Sequence, residues 1–269
     1  MTDAEALRTL LPADRGGWEP VTSGESGAAV FRSDDGARYA KCVPPRQVAA
    51  LEAERDRVGW LHAQGAPGAR ALDWRATAAG SCLVTSAVPG VPADRVPAAT
   101  LHAAWEPIAD AVRRLHDLPP QHCPFSRDLR QMYATAREVV ARGAVNPDFL
   151  PVDQQHTPPG ELLARLAPQL EARLAQEAAE MVVCHGDLCL PNIVLDPVTL
   201  TVTGFIDVGR LGRADPYADI ALLLATARET WPDAHQAATA EARFATHYGT
   251  PLDRTRERFY LHLDPLTWG

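Results

Sequence analysis

The sequence predicts an α+β fold in two lobes, a small β-rich lobe over residues 1–88 and a larger, mainly helical lobe over 89–269. Three observations predict it. Val30 to Arg32 and Arg38 to Val43 flank Ser33-Asp34-Asp35-Gly36, and Asp-Gly between β-prone runs is a hairpin signature. Pro89-Gly90-Val91-Pro92 then breaks a strand-like run and marks the lobe boundary. Beyond it Leu101, Trp105, Ile108, Val112 and Leu115 recur at spacings of three and four, the stripe of an amphipathic helix. A chain of 269 residues also sits where a single core stops growing, at roughly 250–300 residues.

The elements follow in order. Residues 47–64 carry Val48, Leu51, Val58 and Leu61 among Glu and Arg, a helix closed by Gly65. Ser81 to Val88 reads as a strand. After the helix over about 101–115, a second helix is expected across 127–142, and 144–160, rich in Pro, Asp and Gln, reads as a long loop. A third helical stretch spans 161–180, with Pro168 forcing a kink or a break. Met181 to Cys184 is a short apolar strand running into His185-Gly186-Asp187. Ile193 to Leu195, a turn at Asp196-Pro197 and Thr201 to Ile206 then form a hairpin that ends in Asp207. In an antiparallel pair the start of one strand lies opposite the end of the other. That pairing predicts Asn192 and Asp207 as neighbours, with Asp187 closing the same corner.

Composition narrows the function. A net charge of −8 argues against a nucleic-acid binder, which needs a basic face to neutralise phosphates, and favours a cationic partner. The first residues have no basic and apolar leader pattern, and the longest apolar run, Ile220 to Ala227, is too short to cross a bilayer, so no membrane partner is expected. Five cysteines without a CxxC pair read as reduced thiols of a cytoplasmic protein, expected to be a monomer. Of 26 basic residues one is lysine, Lys41, and the chain has two asparagines, Asn146 and Asn192. Survivors of so strong a compositional drain point to positions where no substitute works.

Asp207 beside Asn192 offers a carboxylate and an amide oxygen, hard ligands that suit Mg²⁺. Asp187, outside that chelate, could orient or deprotonate an attacking hydroxyl. Singly, such residues cap turns; together at hairpin-related positions they are the set phosphoryl transfer requires. Thr22-Ser23-Gly24-Glu25-Ser26-Gly27 precedes the first hairpin as a phosphate-covering loop would. Lys41 on the next strand could contact the α- and β-phosphates of ATP, with Glu54, or alternatively Glu52, holding its ammonium.

At this point a resemblance becomes specific. Val183-Cys184-His185-Gly186-Asp187-Leu188-Cys189-Leu190-Pro191-Asn192, Gly204-Phe205-Ile206-Asp207-Val208-Gly209-Arg210 and the following Leu211 to Ala221 resemble the hallmark segments of the aminoglycoside phosphotransferase family, which has a protein-kinase-like fold. The resemblance covers the whole chain. It implies that residues 1–88 form a nucleotide-binding lobe ending in a hinge, and that 89–269 form the catalytic and aminoglycoside-binding lobe. It implies Asp187 as the catalytic carboxylate, Asn192 and Asp207 as Mg²⁺ ligands, and Lys41 with Glu54 as the ion pair. Ser26 would lie on the nucleotide loop, Ser86 to Val88 would form the adenine hinge, and Asp219 would brace the catalytic loop. Cys189-Leu190-Pro191 departs from the small polar residues often found there.

Within the family the chain is most similar to streptomycin 3″-phosphotransferases, on Gly24 to Gly27, Ala144 to Pro151 and Leu263 to Gly269. The expected reaction is ATP-dependent phosphorylation of streptomycin at its 3″-hydroxyl, which would inactivate the antibiotic. Streptomycin carries two guanidinium groups, which pair with carboxylates. Asp148, Asp153, Glu229 and Asp264 are acidic candidates in the helical lobe, with Glu229 and Asp264 preferred and Arg210 added as a substrate-side residue. A kinase for another aminoglycoside, a macrolide, choline or a homoserine-like metabolite stays open, as does a non-catalytic nucleotide- or antibiotic-binding module.

Overall fold

The computed structural model describes residues 7–13, 17–21 and 28–269. The chain divides into two compact units, 1–90 with 194–196 and 203–209, and 91–193 with 197–202 and 210–269.

The first unit is built on a five-stranded antiparallel sheet in the order β1-β2-β3-β5-β4, with β1 at Trp18–Val21, β2 at Ala29–Ser33, β3 at Arg38–Val43, β4 at Ala71–Thr77 and β5 at Gly80–Ser86. The β2–β3 turn is the expected one. Gly36 takes φ +70°, which favours glycine, and its N–H donates to the Ser33 carbonyl at 2.7 Å. Side chains alternate across a strand, so β3 sorts its residues between two faces. Ala40 and Cys42 enter one core with Trp18, Phe31, Cys82 and Val84. Val43 enters the other, with Leu83 and with Leu51 of helix α1 (Val48–Ala63). Lys41 shares Val43's parity, and therefore faces α1. Each fully buried large apolar side chain contributes about 1.5–3 kcal/mol. The edge strand β4 is largely exposed, its burial showing no clear alternation.

The second unit opens on a two-residue strand, β6 (Val91–Pro92), and helix α2 (Ala98–His116), which buries Leu101, Trp105, Ile108, Val112 and Leu115 as their spacing predicts. Helix α3 (Leu129–Ala141) is capped by Asp128, whose carboxylate accepts from the Gln131 N–H. Helices α4 (Pro159–Leu166) and α5 (Leu170–Glu180) are separated by a 3₁₀ turn at Ala167–Gln169, the break that Pro168 predicts. Strand β7 (Val182–Cys184) follows; the hairpin strands β8 (Ile193–Asp196) and β9 (Thr201–Phe205) belong largely to the first unit, and β10 (Gly212–Ala214), in the second, pairs antiparallel with β7. Three helices close the chain: α6 (Tyr217–Arg228), α7 (Ala234–Tyr248) and α8 (Arg254–Leu263). Helix α7 packs on α2, where the Trp105 indole N–H donates to the Ala240 carbonyl at 2.7 Å.

All five cysteines are free thiols, as their spacing predicts. Among the described residues no helix is long and apolar enough to cross a membrane.

Candidate active site

In the first unit the candidate side chains gather on Lys41. Its ammonium donates to Glu54 of α1 at 2.8 and 3.1 Å and to Asp207 at 3.2 Å. Burial favours the neutral amine, but the charges of Glu54 and Asp207 outweigh it and hold the Lys41 pKa above its ordinary value. The structure decides between the two glutamates: Glu52 is half exposed and pairs with Arg55 instead. Gly209 leaves room for this arrangement, since a Cβ there would lie 3.2 Å from Glu54 Oε2. Asp207 takes φ +56°, a left-handed conformation that Asp tolerates better than most residues. Its side chain is 56% exposed, so the carboxylate can still meet a ligand.

The Ser86 to Val88 segment leaves the sheet at the end of β5. The Ser86 N–H donates to the Arg70 carbonyl, its hydroxyl accepts from the Arg70 N–H, and the Ala87 N–H donates to the Ala37 carbonyl. Val88 makes no backbone hydrogen bond of this kind among the described residues. Ser26 and its loop lie outside the described residues.

In the second unit β7 delivers His185-Gly186-Asp187 onto the buried carboxylate of Asp219, in the first turn of α6. Asp219 Oδ2 accepts the His185 N–H at 2.6 Å and Oδ1 accepts the Gly186 N–H at 2.8 Å. Gly186 has φ +84°, and a Cβ there would come within 2.7 Å of Arg127 Cδ, so the loop can pass only as glycine. Full burial alone would raise the Asp219 pKa, yet its hydrogen bonds and the neighbouring histidines hold it below the ordinary value.

Asp187 is in turn held by Asn192, whose amide nitrogen donates to the Asp187 carbonyl at 2.8 Å and to Oδ2 at 3.1 Å. That orientation leaves the Asn192 amide oxygen as the atom suited to a cation. Burial pushes the Asp187 carboxyl above its ordinary range and the Asp264 charge adds to this, against the pull of His185, Arg210 and Arg127. A carboxylate raised in this way is a better proton acceptor.

The substrate-side candidates differ among themselves. Asp264 is buried, accepts from the Arg127 guanidinium at 2.8 Å and from the Trp268 indole at 3.0 Å, and lies 3.6 Å from Arg210. Arg210 donates to the Thr267 hydroxyl and carbonyl, and its guanidinium carbon lies over Trp268, 3.4 Å from the ring centre. Burial, with the like charge of Arg127, draws its pKa down to about 10. Glu229, at the C-terminal end of α6, is exposed, as is Asp153; Asp148 caps nothing and is exposed as well. Sequence reasoning missed Arg127, His116 and Tyr248. Arg127 stands before a helix cap, and His116 and Tyr248 read as the last buried positions of two helices.

A model of the phosphotransferase enzyme family, APH, matches residues 17–260. The streptomycin 3″-kinase of Streptomyces griseus is 65% identical over 254 residues, 94% of this chain and 93% of its own length. Among solved structures, an aminoglycoside phosphotransferase of type APH(3″)-Id from Streptomyces rimosus, in complex with ADP and streptomycin, is 70% identical over all of both chains, with a TM-score of 0.94. The choline kinase of Streptococcus pneumoniae, 15% identical over 95% of this chain and 83% of its own, shares the kinase-like fold with a TM-score of 0.63.

Proposed function

The chain belongs to the phosphotransferase enzyme family, and on that premise we propose that it transfers the γ-phosphoryl group of ATP to the 3″-hydroxyl of streptomycin, inactivating the antibiotic. One observation carries this reading: the likeness, over its full length, to a phosphotransferase solved with ADP and streptomycin.

The residues fit the chemistry. Asp187 accepts the hydroxyl proton, or aims the hydroxyl at the γ-phosphorus, while Asn192 fixes its carboxylate. The hydroxyl oxygen forms the new P–O bond, the β–γ bridging bond breaks, and ADP leaves. Lys41, held cationic by Glu54, contacts the α- and β-phosphates. Ser86 to Val88 offer hinge backbone to adenine, and Ser26 belongs to the loop over the phosphates. Asn192 and Asp207 are the residues to hold Mg²⁺, an amide oxygen and an exposed carboxylate being hard donors of the kind it takes. Bound there, Mg²⁺ supplies charge neutralisation on the phosphates. Glu229 is the exposed acid for a guanidinium, whereas Asp264, already bonded to Arg127 and Trp268, acts with Arg210 as the floor of the antibiotic side. Residues 1–88 serve as the nucleotide lobe and 89–269 as the catalytic and antibiotic lobe. The proposed setting is a cytoplasmic monomer with no nucleic-acid or membrane partner.

The test is ATP consumption across a panel of aminoglycosides, macrolides and choline, with NMR of the product. Streptomycin should be turned over and should carry phosphate at the 3″ position. Turnover of another acceptor with none on streptomycin would replace the substrate. Asp187→Ala should cut turnover by about 100-fold or more while ATP still binds. A folded Asp187→Ala protein with near-normal turnover would remove Asp187 from its role.

A further inference from the structure

Behind the catalytic loop lies a buried relay that no part of the phosphoryl chemistry touches. His116, the last residue of α2, places Nε2 3.1 Å from Asp219 Oδ2 and Nδ1 2.7 Å from the hydroxyl of Tyr248, the last residue of α7. The His116 and Asp219 side chains are essentially inaccessible, at 1% and 0% exposure. We infer that His116 and Tyr248 are positioning residues for the transfer reaction, a hydrogen-bonded chain that orients Asp219 and through it the His185-Gly186-Asp187 backbone.

The donor and acceptor inventory fixes the bond to the carboxylate. Asp219 is an acceptor, so His116 Nε2 carries the proton and donates to it. Nδ1 and the Tyr248 hydroxyl share the next hydrogen bond of the chain, at 2.7 Å. Asp219 Oδ2 thereby receives two bonds, from His116 and from the His185 N–H, while Oδ1 receives the Gly186 N–H. Without His116 the carboxylate keeps only the two loop amides and loses the bond that ties it to the helices behind. The loop would follow it, and Asp187 stands one residue past the second of those amides.

A competing reading of the same atoms is a metal site, since His116, Cys184 and Asp219 bring three ligand atoms within 4.8 Å of one another. Their hydrogen bonds argue against it. His116 and Asp219 are bonded directly to each other, and the Cys184 thiol donates to the Asp215 carbonyl at 3.3 Å. Burial and the charges of Asp219 and Asp215 push that thiol far up, which keeps it neutral and a poor ligand.

The inference rests on the phosphotransferase reading, so its test has one arm that needs no activity. Backbone hydrogen exchange of His185 and Gly186 is compared in wild type, His116→Leu, His116→Gln and Tyr248→Phe, alongside kcat and both KM values with streptomycin and ATP. Gln can donate to Asp219 through its amide nitrogen and accept from Tyr248 through its oxygen. His116→Leu should speed exchange at His185 and Gly186 by about tenfold or more and lower kcat to a similar extent, with both KM values within about twofold. His116→Gln should recover most of both effects, and Tyr248→Phe should show a smaller loss of each. Wild-type exchange and kcat in folded His116→Leu would overturn the relay. So would a Gln variant no better than Leu, or unchanged exchange and kcat in Tyr248→Phe, which decides the matter if His116→Leu does not fold. Should the wild type leave streptomycin untouched, the substrate reading fails, and the exchange arm still decides the relay.

Discussion

The two units hold their functional side chains by opposite means. Around Lys41 the ties are between charges at partly open positions: an ammonium 22% exposed, Glu54 beside it, and Asp207 more than half exposed. Around Asp219 they are hydrogen bonds in full burial, from two loop amides and one imidazole. Ion pairs that keep some exposure contribute less to stability than fully buried ones, because water competes for them. A buried carboxylate stripped of its partners, or donors stripped of it, costs several times more. On the proposed function, the first unit's partly open charges would admit a nucleotide among them, while the second unit's buried bonds hold one loop. Substitutions in the two regions should separate function from stability.

The largest effect is expected at Asp219. Asp219→Ala leaves the His185 and Gly186 N–H groups and His116 Nε2 buried without their acceptor. We expect a loss of about 3 kcal/mol or more, read by calorimetry as a Tm lower by roughly 6–12 °C for a chain of this size. An unchanged Tm would mean the loop does not depend on that carboxylate.

A second buried acid sharpens the contrast within the same unit. Glu177 on α5 is buried, accepts the Leu129 N–H at 2.8 Å and is also bonded by the Asp215 backbone. Burial pushes its pKa up from 4.5 to about 7, the opposite of Asp219. The native chain therefore holds a proton between about pH 4.5 and 7 that the unfolded chain releases. Stability from this group is present in full at the acid end and is lost as pH rises through the window. Urea unfolding should show a fall of roughly 1–3 kcal/mol across it, and Glu177→Gln should flatten that segment. A parallel pH slope in the variant would show that Glu177 is not its source.

These differences bear on what was legible in the sequence. The residues proposed for phosphoryl transfer stood out in the sequence because chemistry restricts their types: Asp187, Asn192 and Asp207 fall in one strand-turn-strand segment, and Lys41 has no other lysine to be confused with. Helix α2 was legible from its stripe. Helix α6 was not, since it buries Tyr217, Ala218, Asp219, Ile220, Ala221, Leu223 and Leu224 and so presents no polar face to set the period. Strand β4 escaped for the reverse reason, being exposed along most of its length. His116 and Tyr248 gave no local signal, because their role comes from the packing of α2 against α7 and α6, which brings together residues 103 and 132 positions apart. Asp264 is expected from the sequence as an acid on the antibiotic side; only the fold shows Arg127 and Trp268 already upon it.

In the first unit the expected effects are on binding. Glu54→Gln keeps the shape of the side chain and removes the charge that aims Lys41. We expect KM for ATP to rise by about tenfold, as for loss of one charge-assisted contact, with stability changed by no more than about 1 kcal/mol. A variant that loses several kcal/mol with an unaltered KM for ATP would make the pair structural, and the contrast with Asp219 would collapse.

The smallest effect is a rate of chemical labelling, and it reports on one atom. The chain has a single lysine, so any adduct on an ε-amine is on Lys41. Amine reagents attack the neutral form, and Glu54 and Asp207 hold Lys41 protonated to a higher pH than a free lysine despite its burial. Each unit by which its pKa is raised reduces the reactive fraction about tenfold. Lys41 should therefore label more slowly than a free lysine, and Glu54→Gln should accelerate it several-fold by removing the nearer carboxylate. If the ammonium meets the phosphates, saturating Mg-ATP should protect it in both proteins and preserve activity, whereas streptomycin alone should protect little. Intact-mass and peptide-mapping measurements read both rates. Equal labelling with and without Mg-ATP, in protein that keeps its activity, would make Lys41 a surface lysine, and the first unit's charges would then belong to the fold alone.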